Sequence, residues 1–261
     1  MNKFIILAAA AIMMVACTKQ QQTKSVTFYP QGDLTFESLD KSPQVTDLWL
    51  FDGEELIAHT NGQPAQVELA YGQHTIHAAA SDGTDPFVYQ NNIMFCDVSG
   101  NTFQGSTTVN IRQNTKDAIE ISMSRIATKF RFTFTDAIPE GTDRVLVFHN
   151  EWWYGFNVTD GYAYYEDQEA EQFEVSPDMW GVRDVTFEFC GFIPEDCWAQ
   201  TLTIRAMKGT RVVGEVTLHN VPFWRNTVTH YSGAIGNNPT GNADWTLNYD
   251  EEWNEPWTYN W

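Results

Sequence analysis

Along most of this chain apolar and polar residues alternate, and the alternation predicts strands. Ala127-Thr128-Lys129-Phe130-Arg131-Phe132-Thr133-Phe134-Thr135 sets three phenylalanines on one face and Lys129, Arg131 and Thr133 on the other. Thr46 to Phe51 and Leu56-Ile57-Ala58 flank Asp52-Gly53 and read as a hairpin with an Asp-Gly turn. Ala65 to Leu69 alternates, Tyr71-Gly72 turns the chain, and His74 to Ala80 follows as a strand. Ser81 to Pro86 is a loop by composition, and Thr107 to Ile111 and Ala118 to Met123 close the first half. Later strands are predicted at Arg144 to Phe148, Val185 to Phe189, Leu202 to Met207, Arg211 to Leu218 and Asn226 to Ile235. Lys208-Gly209-Thr210 joins two of them as a tight hairpin. No window keeps a helical period beyond about two turns, and Pro177-Asp178-Met179-Trp180 is the main helix-like hint.

Many short strands, with turn signals about every 8–12 residues, predict an all-β chain of packed β-sandwiches. The length suits two domains of ordinary size or one large all-β domain. The boundary is placed near Met123 to Ile126, dividing residues 26–123 from residues 124–261.

The first residues follow another rule. Lys3 precedes an unbroken apolar run from Phe4 to Met14, too short to span a bilayer but suited to the core of a secretory signal. Met14-Val15-Ala16-Cys17 resembles the lipobox of exported lipoproteins, in which the cysteine is lipidated after cleavage. Residues 1–16 are therefore expected to be a lipoprotein signal peptide and Cys17 the lipidation site. The competing reading is an ordinary secretion signal with an incidental cysteine. Two or more acyl chains on one cysteine give stable membrane anchoring where one chain is marginal. Residues 17–25 are polar and read as a lipidated tether, with the folded part starting near Val26.

Charge narrows the partners. The formal net charge of −19 repels nucleic acid phosphates and anionic headgroups. Aromatics make up 14% of the chain, which leaves rings either for a partner or glycan surface or for β-rich cores that use them freely. Beyond Cys17 three cysteines remain, Cys96, Cys190 and Cys197. The Cys190–Cys197 spacing flanks Gly191 and Pro194, so a turn could join their sulfurs; three unpaired thiols fit equally well.

Catalytic chemistry is not legible. His74 and His77 stand three apart on one predicted strand, so they project from opposite faces and cannot chelate one metal. No zinc, phosphate-loop, dinucleotide or nucleophile-elbow motif occurs. The acidic run Glu166 to Glu171 lacks the spaced Asp and Gly of a calcium loop and reads as solvated. The reading is a non-enzyme without metal, cofactor or catalytic residue. The aromatic knot Trp152-Trp153-Tyr154-Gly155-Phe156, followed by Tyr162, Tyr164 and Tyr165, is the candidate binding surface. Trp152, Trp153, Tyr154 and Tyr164 could stack sugars, or the rings could fill a core.

Three segments together resemble a known family. Asp47-Leu48-Trp49-Leu50-Phe51-Asp52-Gly53-Glu54-Glu55-Leu56 is similar to the early strand and turn of FimB-type fimbrial anchor and accessory lipoproteins. Ser124 to Phe130 resembles the strand that opens their second domain, and Asn220 to Gly233 resembles a run near the end of fimbrillin-like domains. The resemblance implies two tandem transthyretin-like, Greek-key β-sandwiches, a lipid anchor in the outer membrane, and association with fimbrial subunits by β-strand addition. Stalk relatives are matured by an Arg-specific protease; here the first arginine after Cys17 is Arg112, so the tether offers no such site. That favours an anchor or accessory subunit. In the C-terminal segment Trp245, Leu247 and Tyr249 alternate, and Trp257, Tyr259 and Trp261 alternate again after an acidic break. Residues 245–261 are expected to dock on a neighbouring subunit, with Trp253, Trp257, Tyr259 and Trp261 as partner-binding residues, or else to complete their own sheet. A surface glycan-binding lipoprotein is the alternative function, and a hydrolase ranks last.

Overall fold

The computed structural model describes residues 22–31, 47–61, 64–81, 92–95, 102–150, 153–165, 170–195, 197–236 and 245–250. Residues 1–16, Cys17, Cys96, Trp152, the acidic residues 166–169, and Trp253, Trp257, Tyr259 and Trp261 lie outside the described residues.

The first half contributes β1 (Thr23–Gln31), β2 (Asp47–Asp52), β3 (Glu55–Asn61), β4 (Ala65–Ala70), β5 (Gly72–Ser81) and β6 (Ile93–Phe95). β7 (Thr102–Ile111) and β8 (Ala118–Arg125) complete it. The second half runs through β9 (Thr128–Phe134), β10 (Arg144–His149), β11 (Trp153–Asn157), β12 (Ala163–Tyr165) and β13 (Glu171–Glu174). After a single 3-10 turn at Pro177–Met179 come β14 (Val185–Gly191), β15 (Cys197–Lys208), β16 (Arg211–Trp224), β17 (Val228–Gly233) and β18 (Thr246–Asp250). The chain is all-β and packs as sandwiches.

In the first half one ladder runs β3-β2-β5-β7-β8-β1-β4 and closes face to face on itself. The fold line lies between β7 and β8, which pair only from Phe103–Arg125 to Gly105–Met123. Below that point β8 leaves β7 and pairs with β1. Gly105 stands at the crossing because a Cβ there would run into the Ser122 carbonyl and the Met123 sulfur. Val26 and Phe28 from β1, Leu48 and Leu50 from β2, Ile76 and Ala78 from β5, and Val67 and Leu69 from β4 fill the space between the halves.

The second half is two four-stranded sheets, β13-β10-β15-β16 and β14-β9-β17-β18. Phe130, Phe132 and Phe134 point into the core between them, against Phe187 and Phe189 of β14 and Phe223 of β16. Each such ring contributes roughly 2–3 kcal/mol of transfer free energy. This is the face that the alternation predicts.

A third sheet, β12-β11-β6, joins the halves, because β6 from the first pairs with β11 from the second. It explains why Leu48-Trp49-Leu50-Phe51 is apolar on both faces. Leu48 and Leu50 enter the first core, while Trp49 and Phe51 meet Met94, Ile126, Phe156 and Phe192 in the junction.

Three expectations change. β1 begins at Thr23, so residues 23–25 of the expected tether are strand. Lys24 binds the turn before β8 and holds them there. Tyr71-Gly72 makes no hairpin, since β4 pairs with β1 and β5 with β2 and β7, on opposite halves of the sandwich. The turn does not join Cys190 to Cys197, which was one of the two readings: Cys190 is buried on β14 beside Val228, and Cys197 is exposed at the start of β15.

Candidate partner-binding edge

β9 gives the second core its phenylalanines and gives the outer face of its sheet a polar ladder. Lys129 Nζ lies 3.3 Å and Arg131 Nε 3.0 Å from the Glu188 carboxylate. Burial pushes the Glu188 carboxyl up, but the two cations outweigh it and hold the group below its ordinary value. Thr133 Oγ1 continues the ladder, 2.8 Å from Thr186 Oγ1 and 3.0 Å from His230 Nε2. The ladder satisfies itself and so stiffens the sheet.

β17 lies parallel to β9 on one side and antiparallel to β18 on the other, from Val228–Asp250 to Ser232–Thr246. Among the described residues β18 is outermost in this sheet. Its position is fixed by Trp245, whose ring lies on Gly233, meets Phe134 edge-on at 6.2 Å, and donates its N–H to the Ala234 carbonyl at 3.0 Å. Asp136 secures the same end by accepting from the Ile235 and Gly236 N–H groups at 2.9 and 2.7 Å. Thr246 to Asp250 therefore complete their own sheet.

The aromatic knot is divided. Trp153 is half-buried in the junction and meets Trp198 edge-on at 5.6 Å, while Phe156 is buried beside Phe192. Tyr154 and Tyr164 lie on β11 and β12, on either side of one ladder. Tyr162, 66% exposed, closes the β11–β12 turn, its carbonyl accepting from the Asn157 N–H at 2.8 Å. Asn157 Oδ1 locks that turn by accepting from the Thr159 N–H and hydroxyl and the Asp160 N–H. Among the described residues no group of three His, Cys, Asp or Glu is placed to hold a metal ion.

The sequence reading missed the Trp245–Gly233 contact. An isolated glycine inside a strand is the signal that could have found it, because such glycines mark close approach of another group.

No protein-family model matches the chain, and no curated protein matches it. Solved structures do. A candidate adhesin from Bacteroides ovatus superposes with a TM-score of 0.50 at 12% identity, covering 76% of this chain and 83% of that one. A candidate polysaccharide-binding protein from Bacteroides thetaiotaomicron gives 0.50 at 14% identity, covering 86% and 95%. At these identities the likeness is one of fold. The fimbrial anchor protein Mfa2 from Porphyromonas gingivalis is also similar, at a TM-score of 0.46 and 13% identity over 85% of this chain and 94% of that one.

Proposed function

We propose that this chain is a non-enzymatic, outer-membrane lipoprotein of fimbriae, an anchor or accessory subunit that holds fimbrial subunits by β-strand addition. Cys17 carries the lipid and residues 17–22 the tether. Division into an N-terminal sandwich that begins with β1 and a C-terminal one, with the boundary near Met123 to Ile126, belongs to the same reading.

The observation that carries it is the edge position of β18. Residues 251–261 follow β18 in the chain, and the alternation of Trp257, Tyr259 and Trp261 suits an added strand. Backbone hydrogen bonds would supply affinity and alternate pockets specificity. The anchored Trp245 sets where β18 begins.

The test is capture of partners from native outer membranes by the lipidated chain, read by mass spectrometry. Recovery of fimbrillin-like subunits, lost on deletion of residues 253–261, is expected. Recovery unchanged by the deletion removes the C-terminal mechanism, and recovery of no subunit removes the fimbrial reading. A glycan array on the same protein tests the second reading, favoured by exposed Tyr162, in which the β11–β12 turn with Trp152, Tyr154 and Tyr164 binds a polysaccharide.

A further inference from the structure

The first strand of each sandwich lies beside, and parallel to, a late strand of the same sandwich: β8, by which the chain leaves the first, and β17, the last strand before residue 236 in the second. β1 pairs with β8 from Thr27–Ala118 to Gln31–Ser122. β9 pairs with β17 from Lys129–Val228 to Phe134–Gly233. The chain enters each pair at the N-terminal end of one strand and leaves at the C-terminal end of the other. β8 passes through only Ile126 and Ala127 before β9 begins.

This arrangement fixes how tension acts. A pull between the N-terminal tether and residue 236 drags neighbouring parallel strands in opposite directions along their own axes. The hydrogen bonds of each ladder then carry the load together, instead of parting one after another as in a peeled strand. We propose that the two sandwiches are force-bearing clamps in series between the membrane and a held subunit, an inference that rests on the lipid-anchored reading above.

Details of β1 match that role. Lys24 Nζ lies 2.9 Å from the Asp117 carboxylate and 3.3 Å from the Gln113 carbonyl, and donates also to the Thr115 carbonyl. All three donors of the ammonium thus reach the turn that leads into β8. The bracing lies at the end of β1 that the tether would pull. Pro30, which lacks an N–H, costs the clamp nothing. The Thr27 N–H donates toward β8, at Asp117, so alternation turns residues 28 and 30 toward β4. The β4 ladder ends at Phe28–Ala65, before Pro30 is reached.

β18 behaves differently. Asp250 lies opposite Val228, so a pull on the residues beyond 250 peels β18 from its end, pair by pair. Peeling transfers the load to the β9–β17 ladder. The junction sheet gives tension a second route from the second sandwich into the first, yet β1 still joins the tether to either route.

Single-molecule force spectroscopy on the full chain, without lipid or partner, tests this. Handles at positions 20 and 240 load the ladders in shear; handles at positions 20 and 71 peel β1 from β4, whose ends meet at the Tyr71 N–H and Gln22 carbonyl. At one loading rate the shear geometry is expected to need several-fold the force of the peel, because forced unfolding follows the barrier on the pulled coordinate. Lys24→Met is expected to lower the shear force and leave the peel force unchanged. Equal forces in the two geometries overturn the proposal. High shear resistance with no captured subunit would leave the clamp and remove the fimbrial reading; capture with equal forces would remove the clamp alone.

Discussion

Trp245 lies across Gly233, and the strand that follows Trp245 exists as an edge because of that contact. A side chain at 233 would occupy the space of the indole. Gly233→Val is expected to dislodge Trp245 and free residues 246–250, and Trp245→Ala to cost about 1–2 kcal/mol, less than a fully buried tryptophan. Hydrogen exchange at β18 checks both: protection is lost there first, while β9 and β14 stay protected.

The junction gives a second expectation. Phe156 is buried between residues of both halves, with Phe192 at 5.5 Å. Phe156→Ala should cost about 3–5 kcal/mol, the usual range for a core phenylalanine. The loss falls on the contact between sandwiches and not on either core. Calorimetry is expected to show the transition of the parent chain split into two.

Two histidines give the sandwiches opposite responses to pH. Burial pushes His149 from its usual value near 6.5 down to about 4. Between those values the unfolded chain binds the proton and the folded chain does not, so the second sandwich loses stability as pH falls through that window. His149→Phe is expected to flatten that slope in urea titrations at pH 5 and pH 7.

Burial also disfavours the charged form of His74, but its partners outweigh burial and raise its pKa. Nδ1 faces the Asp52 carboxylate at 2.5 Å and Nε2 faces the Ala70 carbonyl at 2.9 Å, so only the imidazolium donates to both. Its stabilisation is complete below the unfolded value near 6.5 and is lost as pH rises through the folded one. His74→Gln should remove the alkaline decline of the first sandwich in the same titrations.

Much of the fold was legible where a single local rule decides it. Phe130, Phe132 and Phe134 were readable because one face of β9 is apolar and the other carries the polar ladder. The turns at Gly53 and Gly209 were readable because both residues take φ near +60°, at +59° and +57°. β6 was not readable, being three residues whose partner lies some sixty residues on in β11. Nor was the switch between β4 and β5, since alternation sets the buried face of a strand but not its sheet. The candidate edge was half legible. The alternation of Trp245, Leu247 and Tyr249 showed a strand, while its own sheet as the receiver depends on Gly233, distant in sequence.

In the proposed strand addition the segment beyond β18 enters another subunit as a strand. The most direct measurement places a photo-activated cross-linking residue at position 257 of the lipidated chain in native outer membranes. Strand addition predicts cross-links to a fimbrial subunit, along one edge of its sheet and at alternate positions when the probe is moved to 259 and 261. Cross-links confined to the chain's own sandwiches would contradict it.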